Sequence, residues 1–150
     1  MDIMIKYGTS NMDFHTVTKF LSEAYWSKGI TFEEVKTASE NSTITAGAFL
    51  SDGRQVGFLR VVSDKIRFAY IMDVVVDPEF RKMGIGQKMV KSVLEYDEMK
   101  YIYQWVLRTR DAHGVYEKAG FKQIENPEQW MILRKERGNR SSFKFDDILN

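Results

Sequence analysis

Val74-Val-Val-Asp-Pro-Glu-Phe-Arg-Lys-Met-Gly-Ile-Gly-Gln-Lys-Met-Val90 reads as a buried strand that breaks at Pro78 and restarts as an amphipathic helix through Arg81, Gly84 and Gly86. Two glycines at a helix start let main-chain N–H groups approach a bulky anion. The unpaired N–H groups and the macrodipole of that helix end favour phosphate there. Arg81 and Lys82 add positive charge beside it. Behind the turn, Ile85, Met89, Val90, Val93 and Leu94 form one apolar stripe, so this helix packs on the sheet that the valines join.

Outward from this segment the chain reads as one alternation of strands and helices. Residues 3–7 suggest a first strand, and Val17, Phe20, Leu21, Ala24 and Tyr25 fall at the spacing of a helix that buries one face. Thr31, with Glu34 three residues on, forms a capping box that opens a second helix. Three strand-like runs follow, over residues 42–50, 55–62 and 66–76. The polar turns between them, Ser51-Asp-Gly and Ser63-Asp-Lys, are short enough to make the three runs antiparallel neighbours. After the helix of the opening segment come a strand over residues 101–107, a helix over residues 112–118 closed by Gly120, and a last pair of strands over residues 121–124 and 130–133. No repeat or linker interrupts residues 1–134, which are expected to form one domain. The tail, residues 135–150, starts basic and then carries Phe143, Phe145, Ile148 and Leu149, so it is expected to dock on this domain or on a partner subunit.

Composition narrows the function classes. At 150 residues, 43% of them apolar and 29% charged, with a formal net charge of +1, the chain is a one-core globular protein without the basic excess of a nucleic-acid binder. It has no cysteine, which removes thiolate metal sites and acyl-cysteine intermediates and fits a cytoplasmic setting. The N-terminus lacks a signal-like pattern, and no apolar run is long enough to span a membrane. His15 and His113 are too far apart in sequence to suggest a metal site.

Arg81-Lys-Met-Gly-Ile-Gly matches the Arg/Gln-x-x-Gly-x-Gly/Ala signature of the GCN5-related N-acetyltransferases (GNAT). Ala112-His-Gly-Val-Tyr-Glu-Lys-Ala-Gly-Phe resembles that family's second motif, in the same order and at a similar separation. The resemblance implies the GNAT fold, an α/β (α+β) arrangement in which about four helices flank a mixed, mostly antiparallel sheet of six to seven strands. It implies acetyl-coenzyme A as co-substrate, with no metal. The pyrophosphate would lie on Arg81, Lys82, Met83, Gly84, Ile85 and Gly86, and the pantetheine arm would pair with Val74, Val75 and Val76 like an added strand. A Rossmann dinucleotide site fits poorly, because the third glycine is missing and Pro78 interrupts the turn.

By the same resemblance Tyr116 is the donor for the departing thiolate and also a cofactor contact; a phenol of pKa near 10 facing a thiol near 8.5 suits that task. Asp73, a lone acid in an apolar strand, is the candidate base or acceptor contact, and His113 is a second candidate. Thr109 stands where many relatives carry asparagine. Trp26, Tyr70 and Trp105 are candidate walls of the acceptor pocket, although aromatic residues in such patterns often serve the core. The expected activity is direct acetyl transfer in a ternary complex to a primary amine of a small molecule or peptide. The alternatives are a non-catalytic acyl-coenzyme A sensor and an interaction domain that has lost the ligand. A homodimer fits the apolar tail.

Overall fold

The computed structural model describes residues 2–136. Its elements run β1 (Met4–Tyr7), α1 (Phe14–Glu23), α2 (Phe32–Glu40), β2 (Ile44–Phe49), β3 (Gln55–Ser63), β4 (Ala69–Val76), α3 (Ile85–Leu94), β5 (Trp105–Val106) and α4 (His113–Glu117), with short 3-10 turns between them. The strands form one sheet in the order β1-β2-β3-β4-β5. The first three pairings are antiparallel and β4–β5 is parallel, as the short turns of the β2–β3 and β3–β4 hairpins and the helix between β4 and β5 require. No helix among the described residues is long and apolar enough to cross a membrane.

The two faces of the sheet bury separate cores. On one, α1 and α2 bring Val17, Phe20, Leu21 and Val35 against Phe49, Phe58 and Val75. On the other, Ile85, Met89, Val90 and Val93 of α3 meet Ala46, Ala48, Leu59, Val61 and Ile71. The strands approach α3 closely because Gly57 has no side chain; a Cβ there would sit 2.9 Å from Met89 Cε.

Local chemistry sets the helix ends. Thr31 and Glu34 form the expected capping box. Asp13 caps α1 through a bond from the Thr16 N–H, and the buried Gln55 accepts the Asp13 N–H at 2.8 Å, tying this cap to β3. The Thr16 hydroxyl bond holds the Asp13 carboxyl below its ordinary value of 3.8. Its stabilising effect is therefore complete above that value and is lost as pH falls through the lower folded value. Asp13→Ala is expected to cost about 1 kcal/mol, read as a lower urea midpoint at neutral pH, with the difference shrinking in strong acid.

Three expectations change. Ala24 and Tyr25 lie beyond α1 rather than on its stripe: Ala24 is extended, and the Ser27 hydroxyl and Gly29 N–H bond the Leu21 and Ser22 carbonyls that another helical turn would use. The run expected from residue 66 starts only at Ala69, because Asp64 Oδ1 gathers the N–H groups of Ile66, Arg67 and Phe68 into a turn. The final pair of strands does not form: among the described residues, 121–124 and 130–133 join no sheet, so the described sheet has five strands rather than six or seven. Of the tail, residues 137–150 lie outside the described residues.

Candidate active site

β4 and β5 pair only at Ala69↔Trp105 and Tyr70↔Val106. Beyond Tyr70 the two strands part, and among the described residues the β4 edge from Ile71 to Val76 has no neighbour on the β5 side. This cleft leads to the turn before α3. From Arg81 through Gln87 no main-chain N–H has a hydrogen-bond acceptor among the described residues; the first such bond in the helix is Lys88 N–H to Gly84 O at 3.0 Å. Lys82 (φ 64°) and Gly84 (φ 79°) both take the left-handed conformation, which bends the turn and, at Gly84, suits the residue type. A Cβ on Gly86 would find only Val76 Cγ2, at 3.9 Å, so glycine here leaves the surface open rather than relieving a clash. The exposed Arg81 folds its Nε onto Val76 O at 3.3 Å, and Met83 is exposed. Val74 and Val76 pack toward the α3 core, Val75 toward the other.

That split is the ordinary alternation of a strand, but a bulge precedes it in β4. Arg60 pairs with Met72 and Phe58 with Val75, so Asp73 and Val74 together oppose Leu59. Asp73 takes φ 58°, unusual for a residue other than glycine and a conformation that persists only when its surroundings hold it. The extra residue reverses the facing of the strand: Ile71 and Val75, four apart, lie in opposite cores.

Asp73 is held from two sides. Its Oδ2 accepts Arg60 Nε at 2.7 Å, with the two side chains 14% and 13% exposed, and its Oδ1 accepts Trp26 Nε1 at 3.0 Å. The indole thereby links the α1–α2 connection to the middle of β4. A carboxylate has about four lone-pair positions, so sites remain for a further donor. Arg60→Met is expected to cost about 3 kcal/mol, by leaving a largely buried carboxylate without its cation. The double variant Arg60→Met/Asp73→Asn, which removes the unpaired charge while keeping a residue suited to φ 58° and an acceptor for Trp26 Nε1, should recover most of that loss in urea denaturation.

Tyr116 sits in α4, its ring edge-on to Phe121 at 6.2 Å. Its hydroxyl has no hydrogen-bond partner among the described residues. Burial, and secondarily the neighbouring Tyr25, pushes its pKa above 10.0, so the phenol keeps its proton at neutral pH. Trp105, His113 and Tyr116 line one groove that continues along residues 121–124. Trp26, Tyr70 and Trp105 make no ring contact with one another: Trp26 is edge-on to Tyr25 at 5.1 Å, and Tyr70 stands at the last β4–β5 pair. The Thr109 hydroxyl accepts the Ala112 N–H at 3.0 Å and so shapes the start of α4.

Sequence reasoning missed two contributors, Arg60 and Arg110. Arg60 is a lone cation in an apolar strand, and the equally lone Asp73 on the next strand was the signal that the two pair. Tyr25 and Arg110, whose guanidinium lies 3.7 Å from the Tyr25 ring centre, join the α1–α2 connection to the loop before α4; nothing local announces that contact. Among the described residues no group of three or more His, Cys, Asp or Glu is placed to hold a metal.

Residues 45–123 match the family described as the acetyltransferase (GNAT) domain. A crystal structure from Xanthomonas campestris pv. campestris, described as belonging to the GNAT family of acetyltransferases, superposes with a TM-score of 0.84 at 33% identity, over 94% of this chain and 98% of that one. "Uncharacterized N-acetyltransferase ycf52" of Gracilaria tenuistipitata var. liui is 29% identical over 99 residues, covering 62% of this chain and 54% of the relative. "GCN5-related N-acetyltransferase 1, chloroplastic" of Arabidopsis thaliana is 32% identical over 89 residues, covering 58% and 45%. The chain thus spans about half the length of these two relatives. Splayed parallel strands, a helix start rich in unpaired N–H groups and the domain match lead to one assignment: the chain belongs to the GNAT family of acetyltransferases.

Proposed function

We propose that this chain transfers an acetyl group from acetyl-coenzyme A to a primary amine by direct attack, with donor and acceptor bound together. The observation that carries the reading is the run of unpaired N–H groups from Arg81 through Gln87 beside the free edge of β4. Such a run suits a pyrophosphate without a metal, and a strand edge suits the amide-bearing pantetheine arm. Val74, Val75 and Val76 offer that edge, and Arg81, Lys82, Met83, Gly84, Ile85 and Gly86 hold the phosphates. Bound there, acetyl-coenzyme A supplies an activated acetyl thioester.

The protein's own part is positioning and proton traffic. A lysine-like amine of pKa about 10.4 costs about 4 to 5 kcal/mol to deprotonate at pH 7, so the bound ammonium has to lose a proton to solvent before its nitrogen can attack. Asp73, already oriented by Arg60 and Trp26, accepts an N–H of the incoming amine and aims its nitrogen at the carbonyl carbon. A carbon–nitrogen bond forms and the carbon–sulfur bond breaks. The Tyr116 hydroxyl gives its proton to the sulfur; the amine nitrogen loses one proton to solvent, and solvent returns one to the tyrosine. With no cysteine in the chain, transfer through an acyl-cysteine is excluded and a ternary complex is the natural route.

The test is coenzyme A release across polyamines, aminoglycosides, amino acids and peptide N-termini, with product masses checked. Turnover with one amine class supports the reading. Saturable acetyl-coenzyme A binding with no turnover on any class favours the sensor alternative.

A further inference from the structure

Backbone pairing between β4 and β5 stops at Tyr70↔Val106, and side chains take over beyond it. On the β4 side, Asp73 Oδ1 accepts Trp26 Nε1 at 3.0 Å. Trp26 is edge-on to Tyr25 at 5.1 Å, and the Tyr25 ring in turn carries the Arg110 guanidinium at 3.7 Å. Arg110 follows closely on Val106, the last paired residue of β5. The run Asp73, Trp26, Tyr25, Arg110 therefore joins the two strands again across the cleft.

The two walls it connects differ in firmness. The α1–α2 connection is well held: the hydroxyl of the buried Ser27 donates to Leu21 O at 2.6 Å, the Gly29 N–H bonds Ser22 O at 3.0 Å, and Asp73 behind Trp26 is fixed by Arg60 at 2.7 Å. By comparison α4 is weakly built. It has five residues, none of them buried, and no side chain caps its start; a helix so short has no stability of its own. Tyr116, Ala119 and Phe121 pack along the α3-side core, which holds α4 to the sheet but sets no distance to the α1–α2 connection. Arg110 sets it, from the loop that launches α4, through the attraction of a guanidinium to the face of an aromatic ring. Its pair with Asp111, at 3.4 Å between neighbours in the exposed loop, anchors that loop to no other element.

We propose that Arg110 and Tyr25 are positioning residues: their stack clamps the start of α4 to the α1–α2 connection and so holds the Tyr116 hydroxyl at the cleft for proton donation. Tyr116 stands one helical turn past Ala112, the N-cap of α4, and its N–H bonds Ala112 O, so a shift of the loop carries over to the phenol. The donation step rests on the acetyl-transfer reading, whereas the clamp rests on the contacts alone.

Amide hydrogen exchange on the full chain reads the clamp with no ligand present. Arg110→Met and Tyr25→Leu are each expected to speed exchange about fivefold at Val115, Ala119, Gly120 and Phe121, the size expected of one exposed cation–π contact, and Arg110→Lys should recover most of the protection. Both side chains are exposed, so far-UV circular dichroism should be retained. Coenzyme A release is then followed with the fastest amine among polyamines, aminoglycosides, amino acids and peptide N-termini. Arg110→Met should lower kcat about fivefold with the KM for acetyl-coenzyme A unchanged, Arg110→Lys should restore most of it, and in the Tyr116→Phe background Arg110→Met should cause no further fall. Unchanged exchange in Arg110→Met and Tyr25→Leu overturns the clamp, and an equal further fall in the Tyr116→Phe background overturns its action through Tyr116. Absence of turnover with every amine contradicts the acetyl-transfer reading and the donation step with it, while the exchange result still decides the clamp.

Discussion

Tyr116→Phe is expected to lower kcat by about a hundredfold, the size of a lost general acid, while leaving acetyl-coenzyme A affinity unchanged. The substitution removes an oxygen that bonds nothing among the described residues, so the ring's packing on Phe121 and the fold should survive. The pH dependence carries further information. Because burial holds the Tyr116 pKa above 10.0, the donor stays protonated throughout the neutral range. The rate of the unmodified enzyme should rise with pH as the amine deprotonates, with no fall due to Tyr116 until pH exceeds about 10. Steady-state kinetics over that range check both points. An unchanged kcat in the phenylalanine variant would place the proton source elsewhere.

The second large effect is expected at the helix start. Gly86→Asp sets a carboxylate among N–H groups that have no other acceptor, and there is room for it, since a Cβ at this position meets only Val76 Cγ2 at 3.9 Å. Opposing charges of like sign about 4 Å apart at an effective dielectric near 20 repel by about 4 kcal/mol. A hundredfold to thousandfold rise in the acetyl-coenzyme A dissociation constant is therefore expected, with the melting temperature nearly unchanged because an acid at a helix N-terminus is itself favourable. Gly86→Ala, which adds bulk without charge, should weaken binding far less. Equal losses in the two variants would mean that shape rather than charge governs the cradle.

What could be read from the amino acids alone follows from how local the cause is. The Thr31–Glu34 capping box, the turn at Asp64 and the break at Asp77-Pro78 are each written within a few residues, so they are visible in sequence even where their boundaries shift. The α3 stripe is legible for the same reason: Ile85, Met89, Val90 and Val93 are all buried. The bulge at Asp73 was not legible, because its positive φ is imposed by two contacts from distant parts of the chain, Arg60 on the neighbouring strand and Trp26 on the α1–α2 connection. Its consequence, the opposite facing of Ile71 and Val75, breaks the simple alternation that strand reading relies on.

The last two segments failed for a different reason. Residues 121–124 and 130–133 have strand-like composition, but a strand needs a neighbour, and among the described residues they have none. In the candidate site, the segment from Arg81 to Gly86 and the position of Tyr116 were legible through motifs. The acceptor side was not: Tyr25, Arg60 and Arg110 meet their partners across large sequence separations, and the aromatic grouping of Trp26, Tyr70 and Trp105 dissolves into separate contacts.

Calorimetric titration with acetyl-coenzyme A tests the central claim most directly, since it needs no knowledge of the acceptor. Saturable binding at one site per chain, severely weakened in Gly86→Asp and unaltered in Tyr116→Phe, is the predicted result. No binding at millimolar ligand, or binding indifferent to Gly86→Asp, would contradict it.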